Sequence, residues 1–300
     1  MRHSTARPRR SVLYVPAANS RAMTKARDLD CDAVVFDLED AVAPAMKEQA
    51  RRYLAEAFQG GPLGGGREAV IRVNAVETTD FALDMEAVAA CRPDAVLLPK
   101  VDSPEVWVAL HQACRAYHLL PSLQAWAMVE TPAGLLALDN IAHAGVAAEH
   151  ALRCLVVGTN DLAKETGVST GDGRAWMLPW LMQAVLVARR YGLNVLDGVW
   201  NDFGDTTGFD AEAAQGRKMG FDGKTLIHPT QVEPANRAFS ASPEAVEDAR
   251  RIVAAFAQPE HAGAGVINLQ GRMVERLHLG QAERLLAIDD AIRARKAAAD

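Results

Sequence analysis

The sequence predicts a (β/α)8 barrel, or TIM barrel, with a C-terminal helical extension. Eight apolar runs alternate with helical segments over about 240 residues, a repeat number and length typical of this fold. The runs are continuously apolar, as expected for parallel strands covered by helices on both faces. A polar residue follows most of the runs, which would gather polar side chains at one end of a barrel.

The predicted strands end at turn-forming or polar residues. The first runs from Ser11 to Pro16, and the helix after it carries Arg21 and Lys25 four residues apart on one face. The predicted strands are residues 11–16, 33–40, 69–75, 95–101, 124–130, 154–161, 194–199 and 222–228. The predicted helices are residues 17–29, 46–58, 79–90, 104–117, 133–143, 177–191 and 209–219, with a glycine-containing loop after the sixth strand.

Residues 241–300 do not continue the repeat, so we expect residues 1–240 to form the barrel and 241–300 to form an extension. An amphipathic helix over 243–257 precedes a short hairpin-like piece at 263–269 and a long helix over 273–298. An extension of this size is large enough to cover a site or to reach a neighbouring subunit.

Composition and charge exclude several classes of protein. The chain of 300 residues is 49% hydrophobic and 23% charged, and its net charge of −6 gives no overall attraction to nucleic acid or anionic membranes. No apolar run approaches the roughly 20 residues needed to span a bilayer. The four cysteines are scattered and are expected to be reduced thiols of a cytoplasmic protein. Arg2, Arg7, Arg9 and Arg10 are expected to form a basic tail that leads into the first strand.

Two carboxylates stand at matching places in neighbouring repeats. Glu130 ends the fifth predicted strand and Asp161 ends the sixth, about one strand–helix–strand unit further on. Parallel neighbours would bring both to the same end of the sheet. Oxygen ligands without nearby His or Cys favour Mg2+, with Mn2+ as an alternative, and leave coordination positions open for substrate oxygens.

Other polar residues at strand ends have two interpretations each. Arg72 lies within an apolar strand and is either a structural ion-pair partner of an acid such as Glu39 or Asp40, or a carboxylate-binding fork. Glu39 and Asp40 are expected to surround the metal without contacting it, because Mg2+ commonly retains waters.

Lys100 is expected to be an ion-pair partner more than a Schiff-base amine, and His228 is either a hydrogen-bonded core residue or a catalytic one. Gly223-Lys-Thr lacks the upstream glycine of a phosphate-binding loop, and there is no usable GxGxxG or GxSxG.

Seven stretches in order carry a resemblance to a known family. They are Arg10-Ser-Val-Leu-Tyr-Val-Pro-Ala, Asp37-Leu-Glu-Asp-Ala-Val, Ile71-Arg-Val-Asn, Leu98-Pro-Lys-Val, Val129-Glu-Thr-Pro-Ala-Gly, Gly158-Thr-Asn-Asp-Leu and Gly223-Lys-Thr-Leu-Ile-His-Pro. From about residue 10 to about residue 288, the chain resembles the citrate lyase β-subunit-like branch of the HpcH/HpaI aldolase family, which includes malyl-CoA and citramalyl-CoA lyases.

The resemblance implies a Mg2+-dependent barrel that cleaves or forms a carbon–carbon bond between a CoA thioester and a 2-oxo acid. Glu130 and Asp161 match the family's metal ligands, and Arg72 matches the arginine that holds the oxo acid. Arg21 and Lys25 fall where family members meet the CoA part of the substrate. The resemblance also implies a homotrimer or hexamer whose C-terminal segment lies over a neighbour's site.

One departure concerns the proposed acid/base of the CoA-ester lyases, an aspartate in a C-terminal Gly-x-Met-Ile/Val-Asp segment. This chain has Gly271-Arg-Met-Val-Glu275, so Glu275 takes that place with one more methylene. Proton transfer requires close geometry, so we expect this chain to differ from the CoA-ester lyases in its lid, its substrate or its rate.

The expected function is therefore cleavage or formation of malyl-, citramalyl- or citryl-CoA, with acetyl-CoA and a 2-oxo acid as the partners. A CoA-independent aldolase of hydroxy-oxo acids is one alternative. A β component of a citrate lyase complex, acting on an acyl-carrier partner, is the other.

Overall fold

The computed structural model describes residues 7–61, 63, 66–147 and 152–297. They divide into two compact units, one of Arg9–Phe239 and one containing Arg7, Pro8 and the described residues from Ser240 on. The strands are Ser11–Pro16 (β1), Ala33–Asp37 (β2), Glu68–Arg72 (β3), Ala95–Leu98 (β4), Gln124–Val129 (β5), Leu152–Val157 (β6), Asn194–Asp197 (β7), Gly223–Leu226 (β8), Val266–Leu269 (β9) and Arg272–Glu275 (β10). The helices are Ser20–Ala26 (α1), Lys47–Gln59 (α2), Thr79–Cys91 (α3), Val106–Ala116 (α4), Pro132–Ala147 (α5), Thr159–Thr166 (α6), Gly171–Arg174 (α7), Leu178–Tyr191 (α8), Thr206–Met219 (α9), Val232–Phe239 (α10), Pro243–Phe256 (α11) and Arg276–Ala297 (α12).

Strands β1 to β8 form a closed parallel barrel in chain order, which confirms the predicted fold class. The ring closes between β1 and β8, where Val12 lies opposite Thr225. Side chains that point into the barrel form one apolar cluster, and side chains that point outwards form a larger one with the helices. This division explains the continuous apolar runs, because both faces of each strand are buried.

The amino-terminal end of the barrel is closed by a buried arginine. Arg9 donates from Nε and Nη2 to the two carboxylate oxygens of Glu68 at 2.8 Å each, and from Nη1 to Asn194 Oδ1 at 2.7 Å. Its guanidinium lies 4.9 Å from the ring centroid of Trp126, a fully buried residue of β5. Arg9 therefore fills the base of the barrel instead of belonging to a tail.

Arg10 is buried in the same way. Its Nε and Nη2 donate to the carboxylate of Asp32 at 2.8 Å each, and its backbone N–H donates to the same group at 2.7 Å. The prediction of a basic tail is thus wrong for Arg9 and Arg10, because buried carboxylates compensate both charges. Arg2 lies outside the described residues.

Several predicted strands end earlier than expected. β2 ends at Asp37 and β3 at Arg72, so the polar residues after them belong to loops. The predicted sixth strand also extends too far, since β6 ends at Val157 and α6 begins at Thr159. Helix α6 occupies part of the segment for which the sequence predicted a loop. Gly167, with φ of +71°, ends this helix in the left-handed region that favours glycine.

The second unit contains two long helices and a hairpin. β9 and β10 pair antiparallel, with Met273 opposite Asn268. The predicted long helix begins at Arg276 instead of residue 273, because residues 272–275 form the second hairpin strand. Phe256, Ile267 and Val274 form a small apolar core within this unit. Its predicted role as a lid and oligomer contact stays a prediction.

No helix among the described residues is both long and apolar enough to cross a membrane. All four cysteines lie in the described part of the chain and are free thiols, three of them buried. Burial raises the pKa of Cys91 to about 12 and that of Cys114 to about 11. These thiols are therefore poorly reactive at neutral pH.

Candidate active site

Glu130 lies directly after β5, at the carboxyl end of the barrel. The chain turns at once, because the hydroxyl of Thr131 accepts the N–H of Gly134 at 3.0 Å and Pro132 opens helix α5. The Thr-Pro-Ala-Gly sequence therefore starts a helix immediately behind the carboxylate and leaves Glu130 at the mouth of the barrel.

The Glu130 carboxylate is 1% exposed, and only one of its oxygens has a partner. Oε1 accepts the N–H of Lys100 at 2.7 Å, whereas Oε2 is buried without a hydrogen-bond partner. Burial raises the pKa of Glu130 to about 8; the Lys100 N–H and the charge of Arg72 oppose this rise, and the charges of Glu39 and Asp161 add to it. A buried carboxyl oxygen that lacks a hydrogen-bond donor is suited to bind a cation, which would displace the proton that the raised pKa retains.

Gly158, between β6 and α6, leaves the space beside this oxygen. A Cβ atom at this position would lie 2.5 Å from Glu130 Cβ and 2.7 Å from Oε2. Only glycine at this position therefore lets Glu130 keep its place. This is the physical reason why the Gly-Thr-Asn-Asp stretch begins with glycine.

Asp161 is half-buried in the first turn of α6, three residues after Gly158. It is thus a helix residue and not the end of a strand as predicted. Its negative charge acts on Glu130, so the two carboxylates share one region of the barrel mouth. Within residues 7–61, 63, 66–147 and 152–297, no group of three or more His, Cys, Asp or Glu side chains has metal-binding geometry. Two carboxylates with an unpartnered oxygen fit a hard cation that takes its other ligands from water and substrate.

Arg72 is the last residue of β3 and is held by Asp37, its register neighbour on β2. Its Nε and Nη2 donate to the two Asp37 oxygens at 2.7 and 2.5 Å, and its Nη1 lies 3.0 Å from Glu39 Oε2. Burial lowers the pKa of Arg72, but the charge and hydrogen bonds of Asp37, together with the charges of Tyr14 and Glu39, outweigh burial and raise the pKa overall. Because a guanidinium has five N–H donors, the fork to Asp37 leaves others available.

Glu39 and Lys100 form a second ion pair at the mouth. Lys100 Nζ contacts Glu39 Oε1 and lies 3.5 Å from Asp40 Oδ1, while Asp40 itself is exposed. Partial burial lowers the pKa of Lys100, but the hydrogen bond with Glu39 and the charges of Glu39, Asp40 and Glu130 together outweigh burial and raise the pKa overall. The amine is therefore protonated at neutral pH, in agreement with the predicted ion pair and not with a Schiff base.

Two of the other predicted residues lie on α1 and one lies in the second unit. Arg21 and Lys25 are exposed on α1 and form no ion pair with any residue that the structure describes. Glu275 is half-buried at the end of β10, where its backbone N–H donates to His278 Nδ1 at 2.9 Å. The roles predicted for these three residues stay predictions.

His228 is not the core histidine that was one of its two interpretations, and its catalytic role stays a prediction. It is half-buried, and its Nδ1 lies 2.8 Å from Thr230 Oγ1 at the start of a short 3-10 helix, Pro229–Gln231. Its ring stacks on that of Phe203, with 4.7 Å between the centroids. His228 is therefore a helix cap and not a core residue.

Sequence reasoning missed Asp37, Gly158, Tyr14 and Met128. The signal for Asp37 was present: it and Arg72 end neighbouring strands, so a residue-by-residue alignment of β2 and β3 would have paired them. Tyr14 and Met128 lie inside the barrel beside Arg72, and their apolar strands gave no sign of this contact.

Comparisons with known proteins agree on one protein family. Residues 10–229 match the sequence profile of the HpcH/HpaI aldolase/citrate lyase family. A (3S)-malyl-CoA thioesterase from Cereibacter sphaeroides (strain KD131 / KCTC 12085) is 46% identical over 97% of this chain and 98% of its own length. The mitochondrial citramalyl-CoA lyase of Homo sapiens is 31% identical over 95% of this chain and 87% of its own length.

A solved structure is similar as well. CitE from Mycobacterium tuberculosis, in complex with magnesium, acetoacetate and coenzyme A, has a TM-score of 0.72 and 31% identity over 95% of this chain and 98% of its own. The profile covers well over half of the chain, and sequence and fold agree with it. The chain belongs to the HpcH/HpaI aldolase/citrate lyase family, a family of lyases.

Proposed function

We propose that this chain is a Mg2+-dependent enzyme of 3-carboxy-3-hydroxyacyl-CoA thioesters, with malyl-CoA as its substrate. The observation that carries this proposal is the buried, unpartnered Oε2 of Glu130 beside Arg72 and Asp161. An anionic oxygen and a fixed guanidinium are the two groups needed to hold a cation and a substrate carboxylate together. The thioesterase and lyase names of the relatives supply the substrate class.

Glu130 and Asp161 would hold the cation, with Mn2+ as an alternative to Mg2+. When bound, the cation polarises substrate oxygens and stabilises negative charge that develops on them. Arg72 would bind the substrate carboxylate through the donors that Asp37 leaves available. Lys100 would hold Glu39 in place beside Arg72, so the site keeps its geometry before substrate enters.

Two net reactions start from the same bound substrate. In hydrolysis, water oxygen bonds to the thioester carbon, the carbon–sulfur bond breaks, and malate and the CoA thiol leave. In carbon–carbon cleavage, the 3-hydroxyl loses its proton and becomes the carbonyl of glyoxylate. The acetyl-CoA enolate that leaves then gains a proton, for which Glu275 is the candidate donor. We infer that hydrolysis is the net reaction, because the thioesterase relative is 46% identical and the lyase relative 31%. Carbon–carbon cleavage is the second candidate.

Product analysis separates these reactions. Purified protein is incubated with (3S)-malyl-CoA and Mg2+, and thiol release is followed with Ellman's reagent while glyoxylate is trapped with phenylhydrazine. Hydrolysis releases thiol without glyoxylate, and carbon–carbon cleavage releases glyoxylate without thiol. Excess EDTA should abolish either signal. Three of the four thiols of the chain are buried, which lowers the background of the thiol assay.

Citramalyl-CoA and citryl-CoA are tested in parallel. Cleavage of one of them, with malyl-CoA left intact, would correct the substrate but keep the class. Lack of turnover of all three by folded, Mg2+-supplied protein would contradict the proposal. Such an outcome would favour a CoA-independent aldolase if CoA also fails to bind, and a carrier-dependent citrate lyase component if a small acidic carrier copurifies.

The proposal also includes the oligomeric state of the protein. We expect a homotrimer or hexamer in which the segment from residue 241 on covers a neighbour's site. Light scattering coupled to gel filtration measures the mass directly, and a monomer at assay concentration would contradict this part.

A further inference from the structure

Asn74 lies two residues after Arg72, in the loop that leaves β3, and it is buried. Its backbone N–H and its Nδ2 donate to Asp84 Oδ2, at 2.8 and 2.6 Å. Nδ2 also donates to the carbonyl of Leu38 at 3.0 Å, and Oδ1 accepts from Lys47 Nζ. The amide nitrogen and the amide oxygen of Asn74 therefore both have partners within the protein.

These partners allow only one orientation of the Asn74 amide. The carboxylate of Asp84 and the carbonyl of Leu38 accept hydrogen bonds, so the NH2 group must face them. The ammonium of Lys47 only donates, so the amide oxygen must face the start of α2. Reversal of the amide would place its donors against the ammonium and its oxygen against two acceptors. The side chain is thus fixed in one orientation.

Asp84 supports this amide from helix α3. It is fully buried, and its other oxygen, Oδ1, accepts from Arg51 Nε at 2.7 Å. A buried carboxylate costs free energy unless polar and charged partners compensate it, and here one guanidinium and two N–H groups of Asn74 do so. A buried network whose polar groups are satisfied is rigid. Helix α3 therefore acts as a fixed support for Asn74.

The Asn74 side chain replaces a backbone donor at the end of the sheet. The N–H of Leu38 donates to the carbonyl of Arg72 at 2.9 Å, as in a parallel ladder. Regular continuation of the ladder would bring the Asn74 N–H to the carbonyl of Leu38. That N–H donates to Asp84 instead, and Asn74 Nδ2 takes its place. The ladder between β2 and β3 therefore ends in a side-chain bond.

The network also holds the backbone of Glu39. Lys47 Nζ donates to the carbonyls of Leu38 and Glu39, at 3.1 and 3.4 Å. The Glu39 carboxylate is buried at the barrel mouth, where it lies 3.0 Å from Arg72 Nη1 and contacts Lys100. Glu39 is thus held at its carboxylate from the site and at its backbone from behind the site.

We propose that Asn74 is a positioning residue that fixes the backbone of Leu38 and Glu39 and thereby sets where Glu39 meets Arg72. It acts through these residues, because its own amide is occupied by internal partners. The proposal rests on the proposed function, in which Arg72 binds the acid end of the substrate. It deepens that function by naming the residue that keeps the surroundings of Arg72 in place.

Loss of the Asn74 amide would release Glu39. Arg72 would keep its fork to Asp37 but lose a contact that orients Nη1. The released carboxylate would also repel a substrate carboxylate that approaches Arg72. Binding of a small dicarboxylate should therefore weaken, and this effect should depend on the negative charge of Glu39.

The test is a double-mutant cycle of Asn74→Ala and Glu39→Gln, read by calorimetry with oxalate in the presence of Mg2+. In the unmodified background, Asn74→Ala should weaken oxalate binding about tenfold. In the Glu39→Gln background, the same change should alter oxalate affinity by less than about twofold, because the charge through which Asn74 acts is already absent. Equal losses in both backgrounds, or no loss in either, would contradict the proposal.

Asn236→Ala is the matched control for a purely structural effect. Asn236 accepts from Ser11 Oγ at 2.8 Å and donates to the carbonyl of Asp30 at 2.7 Å, at the amino-terminal end of β1. Both alanine variants lose hydrogen bonds and should melt at a lower temperature, but only Asn74→Ala should lose oxalate affinity. An equal loss of oxalate affinity in Asn236→Ala would show that general destabilisation is the cause, and the proposal would be wrong.

Lys47→Met takes the place of Asn74→Ala in the cycle if the alanine variant does not fold. It removes the donor to the carbonyls of Leu38 and Glu39 at a half-buried position and leaves the bonds between Asn74 and Asp84 intact. Its effect on oxalate affinity should show the same dependence on Glu39. Additive effects of Lys47→Met and Glu39→Gln would overturn the proposal.

Failure of this inference differs from failure of the proposed function. Unmodified protein that binds oxalate but does not turn over any CoA thioester would overturn the proposed function, and the oxalate cycle would still decide the role of Asn74. Turnover of malyl-CoA without coupling between Asn74 and Glu39 would overturn the role of Asn74 alone. Unmodified protein that does not bind oxalate would overturn both.

Discussion

At the scale of single residues, Glu130 combines two properties that rarely occur together. It is buried, and one of its oxygens has no donor, so the protein bears a desolvation cost without internal compensation. Gly158 maintains this arrangement because any side chain there would displace the carboxylate. A cation that binds Oε2 would offset this desolvation cost, which explains why a stable fold retains a buried carboxyl oxygen without a donor.

Glu130→Gln should therefore abolish Mg2+-dependent turnover and weaken Mn2+ binding, measured by electron paramagnetic resonance, by more than roughly tenfold. The amide keeps the shape but not the charge, so the melting temperature without metal should equal or exceed that of the unmodified protein. Glu105→Gln, which changes a fully exposed carboxylate, is the matched control. Full metal-dependent activity of Glu130→Gln would remove this residue from the site.

At the scale of secondary-structure elements, strand ends and the segments after them are joined by buried charges. Lys224, on the outer face of β8, is fully buried and donates to the carbonyl of Gly198 at 2.5 Å and to Glu212 at 2.7 Å. Asp197, at the end of β7, accepts from Arg174 Nη1 at 2.7 Å. These pairs connect β7, β8 and α9 with the segment that follows α6.

Lys224→Met should leave buried acids without their cation and reduce the free energy of unfolding by about 3 kcal/mol. Urea unfolding measures this change. Lys218→Met, at an exposed position of α9, should stay within about 0.5 kcal/mol of the unmodified protein. Adding Glu212→Gln to Lys224→Met should restore part of the loss, and equal stability of all variants would contradict the coupling.

At the scale of the whole molecule, the second unit enters the proposed function through Glu275. This residue ends β10, and the resemblance to the CoA-ester lyases predicts an acid/base at its position. We expect Glu275→Ala to lower the rate of carbon–carbon cleavage by roughly a hundredfold or more, because it removes the candidate proton donor to the enolate, and to leave Mg2+ affinity unchanged.

Mixing variants tests where this residue acts. Neither Glu275→Ala nor Glu130→Gln should be active alone. If Glu275 serves a neighbour's site, a refolded mixture of the two should regain part of the activity, because some sites then combine an intact Glu130 with an intact Glu275. Activity of Glu275→Ala equal to that of the unmodified protein would show that no proton passes through this residue.

Local patterns along the chain were sufficient to predict the architecture and the family. Alternation of apolar runs and helical segments predicts eight βα units because strand burial and helix periodicity are local properties of the chain. The positions of Glu130 and Lys100 at strand ends could be predicted for the same reason, whereas Arg72 was predicted within a strand and in fact ends β3. The departure at Glu275 was also visible, since it needs only the order of residues.

The partners of these residues could not be predicted from local patterns and became known from the folded barrel. Arg9 and Arg10 appeared to be a tail until Glu68, Asn194 and Asp32 were placed around them. Asp161 moved from a strand to a helix, and Asp37 replaced Asp40 as a partner of Arg72. Such contacts join residues far apart in the chain, and their burial and hydrogen bonding depend on how the barrel closes. Closure therefore decides which charges are paired and which oxygen is left for a ligand.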